Sequence, residues 1–297
     1  MRIAIIGTGG VGGYFGAQLA ASGEEVTFIA RGRHLDAMRR HGLRVESQHA
    51  PAHILPVNAT DVIEDVGPVN LALVAIKLWD TEEVGQRLAR HLTPDSTVVS
   101  LQNGVSKDDI LRAHIPSSAL IGGVCYISAS IGAPGVITHD GSLARIILGE
   151  FDGQRSTRAM RIFESFIKAG IDAELSTSIS EVIWEKFVFL VALSSVTSAT
   201  RQPVGTLRRR ERTRQLLRDT MAEVVQVGRA RGIRLPADYA DQQIEFVDTL
   251  PERMSSSMLN DLLHGRRLEL PWLGESVTDM ARQLGIPAPV NEVLAAV

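Results

Sequence analysis

Short apolar runs alternate with helix-like stretches over the first part of the chain. The runs have the length of β-strands and lie at residues 3–6, 25–30, 69–76 and 97–101. The run at 69–76 is apolar almost throughout, which is typical of a central parallel strand covered on both faces. Strands that alternate with helices predict an α/β domain, which we place at residues 1–177.

From residue 178 onward, the pattern shows helical periodicity only. Proline and glycine signals separate the helical segments, and the sequence contains no internal repeat or low-complexity tract. The predicted helices are residues 179–199, 210–231, 239–249, 255–263, 272–284 and 290–296. The sequence therefore predicts an all-helical C-terminal domain at residues 178–297, and the crevice between the two domains is the expected active site.

A glycine-rich turn follows the first apolar run. Gly7, Gly9 and Gly12 have the spacing G-x-G-x-x-G, and a helix-like segment comes next. In a dinucleotide-binding turn, the first glycine permits the tight turn, the second lets the backbone approach the pyrophosphate, and the third lets the helix pack on the strand. Glycine-rich turns that bind nothing share these letters, but here the motif lies inside a compact βαβ unit. We therefore predict a Rossmann-type dinucleotide-binding domain.

The residue after the second strand distinguishes between the nicotinamide dinucleotides. An acidic residue about 20 positions beyond the glycines would bind the ribose 2′-hydroxyl of NAD. This chain has Arg31 there, and a guanidinium forms charge-assisted hydrogen bonds with a 2′-phosphate. We predict NADP(H) as the cofactor, with a surface arginine as the alternative for Arg31. Arg33 and His34 lie close enough to help, or else they begin the next helix in solvent.

Two polar residues follow later strands. Lys77 ends the run at 69–76, and Asn103 follows the run at 97–101. Because the carboxyl ends of parallel strands line the ligand crevice, both are predicted to bind the cofactor, and Asn103 would also reach the substrate. The alternatives are a lysine that snorkels from a strand end and an asparagine that serves a turn. The letters before Lys77 match a kinase strand, but no H-R-D or D-F-G motif follows, which excludes a kinase.

Lys186 stands where a predicted helix becomes strongly apolar. A lysine there is costly unless its ammonium group reaches a cleft or a partner. Beside a carbonyl group, it would supply the proton that an oxyanion needs when hydride arrives, which makes it a candidate general acid. The alternative is a lysine on the exposed edge of the helix.

A serine cluster and a glutamate follow in the helical domain. Ser257 belongs to a run of three serines at residues 255–257, and Glu269 follows two arginines. Serines that head a helix cap its free N–H groups, which is the structural alternative. The same hydroxyls would also bind a substrate carboxylate, and Glu269 would hydrogen-bond a substrate hydroxyl or orient Lys186.

Composition narrows the range of functions. The chain is 44% hydrophobic and 22% charged, with a formal net charge of -3, which gives no reason to expect nucleic acid or an anionic membrane as a partner. The basic run at 207–214 is predicted to be a solvated helix face. The apolar stretch at 187–199 is interrupted by serine and threonine and is predicted to be too short to span a bilayer.

The single cysteine, Cys125, excludes an intrachain disulfide, and the N-terminal apolar run ends at Gly7 without the features of a signal peptide. We therefore predict a cytoplasmic protein. His49 and His53 are four residues apart, but Pro51 argues against a helix that would place them on one face, so we predict no metal site.

Taken in order, these motifs resemble those of the ketopantoate reductases (2-dehydropantoate 2-reductases) over nearly the whole length. They are the glycine turn, Arg31, Val-Ala-Ile-Lys77, Leu-Gln-Asn103-Gly, Ile183-Trp184-Glu185-Lys186, Ser256-Ser257-Met258-Leu259-Asn260-Asp261 and Arg-Arg-Leu-Glu269. The family reduces a 2-oxo acid with NADPH on the route to pantothenate and coenzyme A. The resemblance implies that Lys186 is the catalytic general acid and that Ser257 and Glu269 bind substrate. It also implies that Arg31, Lys77 and Asn103 line the cofactor crevice.

The chain departs from that family at two places. Asparagines are common four and eight residues after the catalytic lysine, where this chain has Leu190 and Ser194. The segment after the glutamate usually reads Ile-Asp-Tyr-hydrophobic-Asn-Gly, whereas residues 270–275 read Leu-Pro-Trp-Leu-Gly-Glu. Ser194 and Asn103 stay among the predicted substrate-binding residues. Because an apolar Leu190 cannot hydrogen-bond a polar substituent, a different 2-oxo acid is an alternative substrate.

The sequence thus predicts an NADPH-dependent reductase of a small 2-oxo acid, with ketopantoate as the first choice. A second hypothesis is a β-hydroxyacid dehydrogenase. Leu190 argues against it, because that family typically has an asparagine four residues after its catalytic lysine. A catalytically silent NADP-binding sensor is the rival from another class, since fold alone does not establish chemistry. Apolar faces of the helical domain would allow a homodimer.

Overall fold

The computed structural model describes residues 1–47 and 50–297, and for residues 50–54 it describes the backbone only. The chain divides into two compact units. The first, here called the sheet unit, consists of Met1–Asn103 and Lys107–Ile179. The second, here called the helical unit, consists of Gly104–Ser106 and Ser180–Val297.

The sheet unit is built on one ten-stranded sheet. Its strands are β1 (Arg2–Ile6), β2 (Glu25–Ile29), β3 (Leu43–Ser47), β4 (Ala50–Leu55), β5 (Asn58–Thr60), β6 (Leu71–Val74), β7 (Thr97–Ser100), β8 (Leu120–Ala133), β9 (Val136–Gly149) and β10 (Asp172–Leu175). The helices before residue 170 are α1 (Gly10–Ala21), α2 (Gly32–His41), α3 (Thr81–Ala89), α4 (Ser106–Arg112) and α5 (Thr157–Lys168).

Six parallel strands form one half of this sheet, in the order β5-β2-β1-β6-β7-β8. This is the strand order of a dinucleotide-binding Rossmann fold. Strand β6 is buried at every residue, and β1 is buried at all but Arg2. Both observations agree with strands that are covered on both faces. The predicted α/β Rossmann-type fold is confirmed.

Strands β8 and β9 form a long antiparallel hairpin that extends the sheet. Strands β3 and β10 both pair with β9 in parallel, and β4 pairs with β3 in the opposite direction. The sequence predicts two separate strands, 135–139 and 144–149, but β9 is continuous. Between Asp140 and Ala144 it contains extra residues that have no partner on β8, and Gly141 adopts a positive φ of 77° there. The bulge explains why the sequence pattern looked interrupted.

The helical unit contains the remaining helices. They are α6 (Ile179–Thr200), α7 (Val204–Arg209), α8 (Glu211–Ala230), α9 (Tyr239–Thr249), α10 (Ser257–Leu263), α11 (Gly274–Leu284) and α12 (Pro289–Ala296). Their apolar faces pack around α6, whose Phe187, Val188 and Val191 are buried in one core. A buried Glu223 carboxylate accepts the backbone N–H groups of Val290 and Asn291, which fixes the start of α12 on α8.

The basic run at 207–214 is exposed at residues 209–212, as predicted for a solvated face, and two of its arginines also contact the end of α9. It spans the end of α7 and the start of α8 rather than one helix. The guanidinium of Arg208 donates to the carbonyls of Val247 and Leu250 at the end of α9, and Arg214 forms an ion pair with Asp248. Arg208 and Arg214 therefore connect α7 and α8 to the end of α9.

Helix α6 is long and apolar enough, by length and composition, to cross a membrane. The length argument made from residues 187–199 therefore does not hold, because the helix has 22 residues. However, 67% of its most apolar window is buried inside the structure, as in the core helix of a globular protein. Burial, rather than length, separates α6 from a typical membrane span.

Candidate functional site

The glycine turn between β1 and α1 has two positions that exclude a side chain. Gly7 has a φ of 100°, and a Cβ added to it would lie 2.9 Å from the backbone nitrogen of Ile76. A Cβ on Gly12 would lie 2.1 Å from the carbonyl oxygen of Gly7. A further glycine, Gly10, was not singled out from the sequence, and a Cβ on it would lie 2.1 Å from the carbonyl oxygen of Ala129 in β8. These three glycines let the turn, α1 and the hairpin pack closely.

Gly9 differs from its neighbours because nothing lies within 4 Å of a Cβ added there. It is also the N-cap residue of α1, where no side chain caps the helix and the first turn contains no acidic residue. The first N–H groups of such a helix, together with the helix dipole, favour an anion. The residues of this turn therefore fit the diphosphate of a dinucleotide.

Arg31 is the N-cap residue of α2 and follows the end of β2. Its side chain is 59% exposed, and Nη1 lies 3.4 Å from Oδ2 of Asp80, beyond the end of β6. An exposed ion pair of this kind contributes little to stability. Since a guanidinium carries five N–H donors, Arg31 retains donors for a 2′-phosphate while it contacts Asp80.

Lys77 and Asn103 follow the neighbouring strands β6 and β7. Lys77 is partly buried, and its Nζ lies 5.7 Å from the centre of the Trp79 ring. Asn103 is partly buried and is the last residue of the sheet unit before the segment Gly104–Ser106. The sheet unit thus brings the glycine turn, Arg31 and Lys77 to the carboxyl edge of its parallel strands, the usual ligand edge of such a sheet.

Two buried side chains, Gln102 from the Leu-Gln-Asn103-Gly motif and Lys107, which no motif marks, fix the loops at this edge. The amide nitrogen of Gln102 donates to the carbonyl of Ile76 at 3.2 Å and to the hydroxyl of Thr81 at 2.7 Å. Lys107 is 1% exposed, and its ammonium donates to the carbonyls of Ser100 and Gly123 and to the carboxylate of Asp108. Gln102 thus joins the segment after β6 to the start of α3, and Lys107 joins the end of β7 to β8.

Lys186 lies on α6, two turns after the helix begins, and is partly buried. Its neighbour Glu185 is also partly buried, and burial, followed by the nearby charge of Glu181, raises the pKa of the Glu185 carboxyl above its usual range. Glu181 itself pairs with Arg234 at 2.7 Å. This end of α6 therefore combines an ammonium group with a carboxyl group that burial makes less acidic.

Ser194 lies farther along α6 and is 1% exposed. Its hydroxyl makes no hydrogen bond to any residue that the structure describes, and the same holds for Ser195 and Ser198. A Cβ added to Gly274, at the start of α11, would lie 3.1 Å from the Ser195 hydroxyl. Buried hydroxyls normally have hydrogen-bond partners, so water or a ligand would supply the missing hydrogen bonds. Of these three serines, the sequence singled out Ser194 alone, and the signal for the others is a hydroxyl inside an apolar helix.

The two serines at the start of α10, Ser256 and Ser257, have different surroundings. Ser256 is buried and is the N-cap residue, because its hydroxyl accepts the N–H of Leu259 at 3.0 Å. The same hydroxyl lies 2.8 Å from that of Thr197 on α6. Ser257 begins the helix and is exposed, so its hydroxyl is on the surface of the helical unit. The capping alternative thus applies to Ser256, while Ser257 remains a predicted substrate-binding residue.

Glu269 precedes a short 3-10 helix, Leu270–Trp272, and is 7% exposed. Its backbone carbonyl accepts the N–H of Trp272 at 3.0 Å. Residues 270–275 differ from those common at this place in the ketopantoate reductases. The guanidinium carbon of Arg267 lies 5.8 Å from the centre of the Trp272 ring. A carboxylate this buried requires hydrogen-bond or charge partners.

The residues that the structure describes contain no group of three or more His, Cys, Asp or Glu able to hold a metal ion. The histidine pair considered in the sequence is not tested by this observation. His49 and the side chain of His53 lie outside the described residues.

Comparisons with known proteins agree with the resemblance. Residues 3–153 match the family model "Ketopantoate reductase PanE/ApbA", and residues 178–297 match its C-terminal model. A 2-dehydropantoate 2-reductase of Mesorhizobium japonicum is 31% identical over 100% of this chain and 97% of its own. A solved PanE/ApbA family ketopantoate reductase of Ralstonia eutropha is 32% identical, with a TM-score of 0.91 over 100% of this chain and 96% of that one.

A D-mandelate dehydrogenase solved with NADH and anilino(oxo)acetate aligns with a TM-score of 0.90 at 20% identity. It covers 100% of this chain and 96% of its own, and at that identity the similarity shows the shared fold. The two family models together match most of the sheet unit and all of the helical unit. The chain therefore belongs to the ketopantoate reductase family of nicotinamide-dependent oxidoreductases.

Proposed function

We propose that the protein reduces ketopantoate with NADPH and that Lys186 supplies the proton. Membership in the family makes the chain an oxidoreductase of 2-oxo acids that uses a nicotinamide dinucleotide. The proposal adds the substrate, the phosphorylated form of the cofactor and the proton donor. The relative from Mesorhizobium japonicum is named for 2-dehydropantoate reduction, which supports ketopantoate as the substrate.

The observation that carries the proposal is the use of lysine. Of 31 lysines and arginines, only four are lysine: Lys77, Lys107, Lys168 and Lys186. Lys186 is the single lysine of the helical unit, in which every other long basic side chain is arginine. An arginine keeps its proton in proteins, whereas a lysine can donate one. The residue type at 186 is therefore the one that proton transfer requires.

In the proposed reaction, the reduced nicotinamide, when bound, would supply the hydride that the C2 carbonyl carbon of the 2-oxo acid accepts. The electron pair of the C–O π bond moves to the oxygen, and the ammonium of Lys186 donates a proton to it, which leaves a neutral amine and a 2-hydroxy acid. Before that step, the positive charge of Lys186 stabilises the developing oxyanion.

Other residues of the chain bind and orient in this proposal. The hydroxyls of Ser257 and Ser194 and the amide of Asn103 contact the substrate, and the Glu269 carboxylate accepts a substrate hydroxyl or orients Lys186. The glycine turn and Lys77 hold the cofactor, and Arg31 binds the 2′-phosphate. The exposed guanidinium of Arg31 and the open space beside Gly9 support these assignments.

A second candidate substrate is a 2-oxo acid without a hydroxyl at C4. Leu190 is partly buried and packs against the core of the helical unit, so it offers no hydrogen bond to such a hydroxyl. A pocket without that partner discriminates poorly in favour of the hydroxyl.

NADPH oxidation measured with ketopantoate and with a panel of 2-oxo acids that differ at C4 tests the proposal. Fast turnover of ketopantoate with NADPH, and slower turnover with NADH, is the expected result. Preference for the acids without the hydroxyl would favour the second candidate. Binding of NADPH without oxidation on any acid would favour a silent sensor and contradict both.

A further inference from the structure

The carboxylate of Asp80 reaches the guanidinium of Arg31 from a different strand. Arg31 follows β2 and Asp80 follows β6, and these two strands pair in parallel with β1 on its opposite sides. The ion pair, with Nη1 3.4 Å from Oδ2, therefore extends across the carboxyl end of β1, where the glycine turn begins. The sequence motifs mark Arg31 at this place but not Asp80, which is 49 residues away along the chain.

Asp80 occupies a position at which aspartate usually has another role. It is the N-cap residue of α3, where an aspartate side chain normally accepts a backbone N–H of the first helical turn. A capping residue has an extended backbone, whereas Asp80 has a φ of -98° and a ψ of -2°. Its side chain makes no cap hydrogen bond within the part of the chain that the structure describes. Helix capping therefore does not account for this carboxylate, and its contact with Arg31 does.

The backbone that carries Asp80 is firmly held. The next residue, Thr81, is buried, and its hydroxyl donates to the carbonyl of Leu78 at 2.8 Å and accepts the amide of Gln102 at 2.7 Å. The side chain of Asp80 is 28% exposed, against 59% for Arg31. The carboxylate is therefore the more restricted member of the ion pair, and the guanidinium is the one that can adapt to a ligand.

A carboxylate at this place affects the choice between the two nicotinamide dinucleotides. In dinucleotide sites, an acidic residue at the end of the second strand accepts the ribose 2′-hydroxyl of NAD, and an arginine accommodates the 2′-phosphate of NADP. This site contains one group of each kind, because the arginine follows β2 and the carboxylate reaches it from β6. A 2′-phosphate at Arg31 must share the guanidinium with a group of like charge, whereas a 2′-hydroxyl would donate a hydrogen bond to that group.

We propose that Asp80 is a specificity-determining residue of the cofactor site, whose carboxylate competes with the 2′-phosphate of NADPH for Arg31 and accepts the ribose 2′-hydroxyl of NADH. The site then takes both dinucleotides, and its preference for NADPH is smaller than Arg31 alone would give. This inference rests on the proposed function for the place of the 2′-phosphate at Arg31.

Asp80→Asn tests the assignment, because an amide keeps the size of the side chain and removes its charge. Glu82→Gln, two residues farther along and 73% exposed, is the matched control for a change of charge near the start of α3. The measurements are the Kd of NADPH and the Kd of NADH without substrate, at low and at high ionic strength, and the melting temperature of each variant.

We expect Asp80→Asn to lower the Kd of NADPH about fivefold, since like charges a few ångströms apart repel each other even in an exposed site. It should raise the Kd of NADH about twofold, because an amide oxygen is a weaker acceptor than a carboxylate. The ratio of the Kd of NADH to that of NADPH should therefore rise about tenfold, and the gain in NADPH affinity should shrink as added salt screens the charges. Glu82→Gln should keep the ratio within about twofold of the parent.

Weaker NADPH binding by Asp80→Asn would show that Asp80 only orients Arg31, and would overturn the inference. An unchanged ratio, or an equal change in Glu82→Gln, would overturn it as well. A parent protein that binds NADH more tightly than NADPH would refute the proposed cofactor, while the change in the ratio on substitution would still decide the role of Asp80. A parent that binds neither dinucleotide would refute both.

Discussion

The sheet unit and the helical unit carry their predicted functional groups in different ways. In the sheet unit the glycine turn works through backbone: Gly7 and Gly12 have no room for a Cβ, and Gly9 has open space around it. In the helical unit the predicted groups are side chains on α6, α10 and the segment around Glu269. Backbone geometry tolerates few substitutions, whereas a side chain on a helix can be replaced without loss of the fold. Both departures from the family, at Leu190 and at residues 270–275, fall in the helical unit.

The difference indicates a division of labour. The part that would bind a cofactor common to a whole family is fixed by steric limits on glycines and strand ends. The part that would distinguish one 2-oxo acid from another depends on replaceable polar groups such as Ser194. Substitutions that break this division are therefore the most informative.

The largest expected effect is on turnover. Lys186→Ala should lower kcat about 10²- to 10⁴-fold, the range for loss of a general acid, because no proton donor remains at that position. Steady-state NADPH oxidation with the best 2-oxo acid measures it. Lys168→Ala, at the exposed end of α5, is the matched control and should behave like the parent. A Lys186→Ala protein with the parent's kcat would remove the lysine from the mechanism.

Two glycine substitutions should separate cofactor binding from folding. Gly9→Ala should weaken NADPH binding about 10- to 100-fold at an unchanged melting temperature, because its Cβ meets no protein atom but approaches the diphosphate. Gly12→Ala should lower the melting temperature markedly, because its Cβ would lie 2.1 Å from the Gly7 carbonyl oxygen. Calorimetry and NADPH titration measure both, and equal loss of stability in the two variants would contradict the distinction.

Arg31→Ala should raise the Kd of NADPH about tenfold and leave that of NADH nearly unchanged, since charge-assisted hydrogen bonds contribute about 1.5 to 3 kcal/mol and this site is exposed. Titration with each cofactor gives the ratio. Arg40→Ala, near the other end of α2, provides the control for general charge effects. A loss that is equal for both cofactors would place Arg31 away from the 2′-phosphate.

Leu190→Asn should shift substrate preference toward ketopantoate. The new amide supplies a partner for the C4 hydroxyl, so the ratio of kcat/KM for ketopantoate to that for an acid without the hydroxyl should rise about tenfold. Leu190→Met serves as a control that keeps the residue apolar. If the asparagine and methionine variants give the same ratio, position 190 does not contact that part of the substrate.

The smallest expected effect is on stability and follows from Glu185. Because its pKa is raised in the folded protein, the native state prefers the protonated carboxyl, and stability decreases as pH rises through the folded pKa. Glu185→Gln should therefore raise the melting temperature by about 1 °C at pH 8, because the neutral amide removes a half-buried charge and its like-charge pair with Glu181. The gap should narrow as pH falls toward 5. A gap that widens on acidification would reverse the sign of the inferred shift.

Local rules predicted the sheet unit well. The first βαβ unit, the buried β6 and the position of Arg31 after the second strand follow from apolar runs, glycine spacing and strand-end chemistry, whereas α2 begins at Gly32, three residues before the predicted start at residue 35. Short elements escaped detection: α4 and α7 have seven and six residues, too few for a helical period to emerge. The sequence also did not reveal that α4 brings a buried Lys107–Asp108 ion pair to the strand ends, because that depends on distant backbone carbonyls.

Side-chain roles were predicted less completely. The serine cluster predicted a cap or a substrate site, and the structure assigns the cap to Ser256 through contacts that no local pattern encodes. His34 shows the same limit, since its Nδ1 accepts the backbone N–H of Gly135, which is 101 residues away. Spacing identifies groups that lie on one element, whereas contacts between distant segments require the fold.

Titration of the Lys186→Ala protein with NADPH in the absence of substrate tests the division of labour most directly. If cofactor binding belongs to the sheet unit and proton transfer to α6, this variant should bind NADPH with a Kd within about twofold of the parent while its turnover is lost. A variant that no longer binds NADPH, or one that binds it and still turns over at the parent's rate, would contradict the account.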